Sequence, residues 1–262
     1  MKIETLQKTL PPLLAEAVSG YAFRQIHIGL SPSKVFRLEA ANKNSLYLKT
    51  SPRVAGFSLL QEKLKLEWLE NRLSVPKVLQ FAEDEKTDYL LLSEISGVPA
   101  SDDSMKKDVP RVVEQLAVGL KKIHNISIVD CRFDARLDFA IEIARERLVN
   151  GLVEQEDFDE ERQGRTAEDI FQELIAAKPT DEDLVFTHGD YCVPNVILKN
   201  GKLNGFVDWG NAGVADKYQD LALLSRSVRY NFGEEWEKSV FEIYGIEPDW
   251  EKIYFYRLLD EF

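Results

Sequence analysis

Cysteine is scarce in this chain: there are two, Cys131 and Cys192, and their separation fits no metal motif. A disulfide scaffold and a cysteine-rich zinc site are therefore poor organising devices for it, and a reducing cytoplasm is the expected setting. No apolar run approaches the ~18 residues that a membrane span needs, so no membrane partner is expected. The opening residues, Met1-Lys2-Ile3-Glu4-Thr5, lack the charged and apolar regions of a signal peptide. Basic residues are outnumbered, 33 against 45 acidic, for a net charge of −12. Nucleic acid is a poor partner for such a chain, because phosphate binding calls for a basic surface. An acidic cleft instead concentrates small cations, although acidity also serves plain solubility. There is no internal repeat or low-complexity tract. Gly29-Leu30-Ser31-Pro32-Ser33 is neither a Walker A motif nor the G-x-G-x-x-G of protein kinases.

With 262 residues, 44% of them hydrophobic, the chain can build one large domain or two lobes around a cleft. A helical pattern runs over 3–18 and ends at Gly20. Strand-like runs follow at Tyr21 to Ile28, Val35 to Glu39 and Leu46 to Lys49. A helix from about Phe57 to Leu73 stops before Val75-Pro76, and a strand at Tyr89 to Leu92 closes the first lobe. Beyond Gly97 the patterns are long and helical, near 108–124, 135–150, 167–177, 216–229, 234–244 and 249–260, interrupted by a β unit over 184–208. The expected class is α+β, with an antiparallel β-rich N-terminal lobe over 1–96, a hinge near 93–97, and a mainly helical C-terminal lobe over 97–262.

The chemistry concentrates in His188-Gly189-Asp190-Tyr191-Cys192-Val193-Pro194-Asn195, followed by Asp208-Trp209-Gly210. Leu184 to Thr187 reads as a strand and Val196 to Val207 as a hairpin about Asn200-Gly201, so Asp190, Asn195 and Asp208 fall at strand ends. Turn-forming Asp and Asn need no catalytic role. In this arrangement, however, Asp190 can orient a hydroxyl and accept its proton, while Asn195 and Asp208 offer hard oxygens suited to Mg²⁺ on nucleotide phosphates. The spacing matches the kinase pattern of an Asp, an Asn five residues on, and a later Asp-x-Gly. A second pair lies upstream. Glu62 sits in an apolar helical stripe with Leu59, Leu66, Leu69 and Leu73, where a lone carboxylate is costly. Lys49 is its obvious partner and would hold nucleotide phosphates; a snorkelling Lys and a solvent-seeking Glu are the plain alternative. His188 is expected to brace the loop backbone. His27 and His124 read as structural or surface histidines. Asp216 could cap the following helix and Asp220 could hold the loop.

In order and spacing, Tyr47-Leu48-Lys49, Val75-Pro76-Lys77-Val78-Leu79, Leu92-Ser93-Glu94, His188 to Asn195, Ala215 to Asp220 and Leu259 to Phe262 resemble the aminoglycoside phosphotransferases, especially the 3′-phosphotransferases. The resemblance covers nearly the whole chain. It implies a two-lobed protein-kinase-like fold, ATP and Mg²⁺ as cofactors, and a cationic aminoglycoside as substrate, with antibiotic resistance as the outcome. It further implies Tyr47 stacked on adenine, the Ser93 and Ile95 backbones at the adenine edge, and Ser31 near phosphate; a core-facing Tyr47 is the simpler alternative. The acidic stretch over 154–161 usually reads as solvated surface, and the acids ending the chain oppose a helix dipole. The resemblance places both around the substrate, with Asp157, Asp159, Glu160, Arg226, Asp260, Glu261 and Phe262 as contacts.

Some positions depart from the family. Asn211 stands where an Arg is usual, which removes a permanent charge near the substrate. Tyr230 and Asn231 replace acids found in several relatives, and Val193 replaces an Asp found in some. These changes leave two rival readings: a kinase for another small hydroxylated molecule, such as a macrolide, a choline-like amine or a sugar, and a kinase-like protein that binds without catalysis.

Overall fold

The computed structural model describes residues 3–26, 33–53 and 58–262. Its contacts divide the chain into two compact units, Met1–Ser96 and Gly97–Phe262.

The first unit is built on one antiparallel sheet. Its strands are β1 (Ala22–Ile26), β2 (Lys34–Glu39), β3 (Leu46–Pro52), β4 (Val78–Glu83) and β5 (Thr87–Ser93), in the order β1-β2-β3-β5-β4. The period of two along each strand separates its faces. Phe36, Leu38, Leu48, Tyr89 and Leu91 share a buried cluster with Leu6, Leu10, Leu14 and Val18 from the N-terminal segment. Lys49, the next residue along β3, is thereby turned away from that cluster. The N-terminal segment is two helices, α1 (Ile3–Thr9) and α2 (Pro12–Ala17), rather than the single helix its pattern suggested. Pro11 and Pro12 cause the break, since a proline lacks the N–H that an unbroken helix would need and fits best at a helix start. On the following helix, α3 (Leu59–Leu69), the stripe Leu59, Glu62, Leu66 and Leu69 is buried as its spacing predicts. Strand β4 was not legible, because its burial follows no clean alternation and a bulge interrupts its pairing with β5. The β4–β5 turn is held by Asp84, which accepts from the Lys86 and Thr87 N–H groups.

The second unit carries its helices around short β elements. These are β6 (Val98–Pro99), α4 (Val109–His124), α5 (Leu137–Val149), α6 (Ala167–Ala176), β7 (Leu184–Thr187), β8 (Val196–Lys199), β9 (Lys202–Phe206), β10 (Gly213–Asp216), α7 (Lys217–Phe232), α8 (Glu237–Tyr244) and α9 (Trp250–Leu259). The expected hairpin about Asn200-Gly201 is β8–β9, with β6 added at its edge. Strand β10 pairs with β7 and returns the chain beside Thr187. Its antiparallel register sets Asp216 beside Leu184, where α7 begins with the Lys217 N–H on the Asp183 carbonyl. The first turn of α7 then brings Asp220 to the residues that follow β7. Asp216 caps α7 by accepting from the Tyr218 N–H, and Lys252 of α9 reaches the same buried carboxylate at 2.8 Å. Among the described residues no helix is long and apolar enough to cross a membrane.

Candidate active site

In the first unit, Lys49 and Glu62 form an ion pair at 2.6 Å, with only 11% and 4% of their side chains exposed. Burying one charge without the other would be far more costly than burying both, so the α3 carboxylate fixes where the β3 ammonium stands. Tyr47 lies two residues before Lys49 and so on the same face of β3. Its phenol is raised above its usual pKa by burial, an effect that nearby Arg37 opposes. Ser93 is occupied by Lys77: its N–H donates to the Lys77 carbonyl at 3.0 Å and its hydroxyl accepts from the Lys77 N–H at 2.9 Å. Ile95 is half-buried beside Glu94, which binds Arg37 at 3.0 Å. Ser31 and His27 lie outside the described residues.

In the second unit the loop after β7 is a dense backbone assembly. Gly189 has φ +81°, and a Cβ there would overlap the Asn211 carbonyl, so this close crossing requires glycine. On the other side, the buried Asp220 carboxylate accepts from the His188 N–H at 2.7 Å and the Gly189 N–H at 2.9 Å. The His188 ring is also a brace. Its Nδ1 accepts from the Asp190 N–H at 3.3 Å, so Nε2 carries the proton that reaches the Val207 carbonyl at 3.0 Å in the neutral ring. Both loop-holding expectations, for Asp220 and for His188, describe this geometry.

Asp190 and Asn195 meet directly. The Asn195 amide nitrogen donates to the Asp190 carboxylate and to the Asp190 carbonyl, both at 3.0 Å, which leaves the amide oxygen for another ligand. Burial, together with the negative charges of Asp260 and Asp208, pushes the Asp190 carboxyl up to about 7. Asn195 is tied to the Asp208 segment by the Val207 N–H, which donates to its carbonyl at 3.0 Å. Asp208 itself has φ +68° and an exposed side chain. The next residue, Trp209, is fully buried against His188, Phe206 and Phe186, with its ring centroid 4.4 Å from that of His188. A buried indole followed by a glycine explains how a non-glycine residue is held in the left-handed region here. Burial, with Asp190 adding to it, pushes the Cys192 thiol well up, which leaves little thiolate to be oxidised.

The acids proposed for substrate contact fall into two groups. Asp157 and Glu160 are exposed. Asp159, Asp260 and Glu261 instead join two arginines. Arg162, 2% exposed, contacts Asp159 and reaches Glu261 at 3.4 Å, while Arg226 contacts Asp260 and reaches Asp159 at 3.6 Å. The cations that resolve the helix-end conflict of Asp260 and Glu261 are thus internal to the chain. Burial and the neighbouring Asp159 carboxylate push Glu261 up to about 8, against the pull of Arg162 and Arg226. Phe262 is buried, its ring edge-on to Phe171 at 5.5 Å. Asn211 presents an exposed side chain while its backbone lies against Gly189. Sequence reasoning did not find Arg162. An arginine directly after an acidic run was its only signal, and its partner Glu261 is 99 residues away.

The pattern of the phosphotransferase enzyme family matches residues 22–256. An aminoglycoside 3′-phosphotransferase of Enterococcus faecalis is 38% identical over 259 residues, covering 96% of this chain and 97% of that protein. One of Niallia circulans is 38% identical over 237 residues, 90% of each. The crystal structure of an aminoglycoside 3′-phosphotransferase of type VIII superposes with a TM-score of 0.85 at 33% identity, covering 95% of this chain and 96% of that one. The phosphotransferase APH(3'')-Id of Streptomyces rimosus, solved with ADP and streptomycin, gives 0.82 at 27% identity, covering 100% and 98%.

Proposed function

This chain belongs to the aminoglycoside phosphotransferase family, and we propose that it transfers the γ-phosphoryl group of ATP to the 3′-hydroxyl of kanamycin- or neomycin-like aminoglycosides, conferring resistance to them. The observation that carries this reading is the Asn195 amide on the Asp190 carboxylate, in a loop whose backbone is pinned from both sides. That bond holds Asp190 in one orientation and turns the Asn195 oxygen outward.

Asp190 aligns the substrate hydroxyl and takes its proton as the hydroxyl oxygen bonds to the γ-phosphorus and the bond to ADP breaks. Phosphoryl transfer asks more of positioning than of basicity, so the fixed geometry matters more than the strength of the base. Lys49, held by Glu62, binds the nucleotide phosphates, and Tyr47 with the Ser93 and Ile95 backbones binds the adenine. The first unit is thus the nucleotide-binding lobe, with the hinge near 93–97, and the second carries the loop and the substrate acids. The Asn195 amide oxygen and the Asp208 carboxylate are hard donors that fit Mg²⁺. Bound there with the nucleotide, Mg²⁺ would neutralise charge on the transferring phosphate. Among the described residues no three His, Cys, Asp or Glu form a cage of their own, so phosphate and water would complete the coordination. The exposed Asp157 and Glu160 face a polycation directly, and Asp159, Asp260 and Glu261 meet it as its ammonium groups replace Arg162 and Arg226. Asn211, Arg226 and Phe262 complete the pocket. The same reading puts the enzyme in the cytoplasm, where ATP is supplied.

The test is Mg²⁺-dependent ADP release with kanamycin, with neomycin and with an analogue lacking the 3′-hydroxyl. Turnover with the first two alone is the expected result. A second reading, a kinase for another small hydroxylated molecule, is favoured by Asn211 and by the arginines already seated on Asp159, Asp260 and Glu261. It predicts silence with all three and turnover with a macrolide, a choline-like amine or a sugar. Ligand binding with no ADP release from any of these would leave the non-catalytic reading.

A further inference from the structure

We propose that His124, buried between Asp220 and Tyr244, is a positioning residue for phosphoryl transfer that sets the height of Asp190 by fixing the carboxylate on which the loop backbone hangs. The inference rests on Asp190 acting as proposed above.

Asp220 is completely buried in the first turn of α7. One of its oxygens accepts from the Gly189 N–H at 2.9 Å, and the other accepts from both the His188 N–H at 2.7 Å and His124 Nε2 at 3.1 Å. A carboxylate only accepts, so Nε2 of His124 carries the proton. In the neutral ring Nδ1 is then an acceptor, and the Tyr244 hydroxyl lies 2.8 Å from it. His124 is the last residue of α4 and Tyr244 the last of α8, so the ends of two helices converge on the start of a third. The Tyr244 and His124 rings also meet edge-on at 5.7 Å, which restrains the imidazole against rotation.

A carboxylate with no third donor could rotate about its Cβ–Cγ bond and carry both loop amides with it. The His124 bond closes that freedom. The opposite side of the loop is already closed, because Gly189 lies against the Asn211 backbone. Residues 188–190 are therefore clamped between one rigid backbone and one carboxylate, whose orientation depends on His124. In phosphoryl transfer a displacement of about 1 Å at the reacting group costs about 100-fold in rate. A loosened Asp220 thus appears in turnover before it appears in substrate binding.

The experiment compares H124F, which keeps a ring and removes the donor, with H124Q, whose amide nitrogen reaches the same place as Nε2. Each purified protein is assayed for ADP release over a range of ATP and aminoglycoside concentrations, which yields kcat and both KM values. The Gly189 amide is followed by NMR for its proton shift and hydrogen exchange. The expected result is that H124F loses about 10- to 100-fold in kcat with both KM values within about twofold, while H124Q recovers to within about threefold of the native enzyme. In H124F the Gly189 amide shifts upfield and exchanges faster; in H124Q it does neither. Native kcat in H124F, or an H124Q as slow as H124F, overturns the proposal. If H124F does not fold, Y244F decides the matter by the same measurements: a smaller loss of kcat and a displaced Gly189 amide support the network, and native values of both overturn it. The amide readout requires no turnover, so it also separates failure of this network from failure of the phosphotransferase reading.

Discussion

Glu261→Gln turns the pairing at the end of the chain into a measurable dependence of stability on pH. Glu261 has 5% of its side chain exposed, so solvent screens its ionisation little. Burial and Asp159 lift its pKa from 4.5 to about 8. The folded protein therefore binds a proton that the unfolded chain releases above about 4.5. For a raised carboxyl, the native state holds more protons than the unfolded state between the two pKa values, so stability falls as pH rises. The slope is about 1.4 kcal/mol per pH unit, and it levels off above the folded pKa near 8. Between pH 6 and pH 9 the native protein loses about 2–3 kcal/mol that a glutamine, which resembles the protonated acid, does not. The glutamine protein should match the native one near pH 6 and exceed it at pH 9. For a chain of this size the gap in Tm opens by roughly 5–10 °C. Thermal unfolding of both proteins at pH 6, 7, 8 and 9, at fixed ionic strength, gives the answer. Parallel Tm curves across that range would refute the placement of Glu261 beside Asp159. A native protein that gains on the variant as pH rises would refute the sign.

Asp190→Ala is expected to reduce turnover by at least about 1000-fold while leaving ATP affinity, measured by calorimetry, within about twofold. Glu62→Gln releases Lys49 from its 2.6 Å partner, and steady-state kinetics should show a higher KM for ATP together with about 10- to 100-fold lower kcat. Asn211→Arg restores a permanent charge at an exposed position whose backbone need not move. Its kcat/KM for kanamycin should rise by about tenfold, and an unchanged value would remove Asn211 from the determinants of efficiency.

The helices of the second unit were legible because apolar residues recur along each at helical spacing, and the stripe on α4 that buries Val112, Val113, Leu116, Leu120 and Ile123 is an instance. The loop from His188 to Asn195 was legible because its residues are close in sequence. What escaped were β4, whose pairing with β5 a bulge interrupts, and two of the shortest strands. Strand β6 has two residues and β10 has four, and each exists only through a partner strand far along the chain. The N-terminal helix was drawn too long because its apolar spacing outweighed Pro11-Pro12, yet the missing backbone donors decide that point.

The candidate site divides in the same way. Residue types alone designate Lys49, Glu62, Asp190, Asn195 and Asp208, because few side chains can pair a buried ammonium, position a hydroxyl or offer hard oxygens to a divalent cation. The sequence could also suggest that His188 and Asp220 hold the loop. It could not reveal that His124 stands behind Asp220, 96 residues away, or that Arg162 and Arg226 are seated on the acids expected to meet a substrate. Local chemistry and periodicity are written within a few residues of each position. The partner of a buried charge is chosen by whichever helix end or strand edge the folded chain brings beside it, and only the tertiary structure makes that choice.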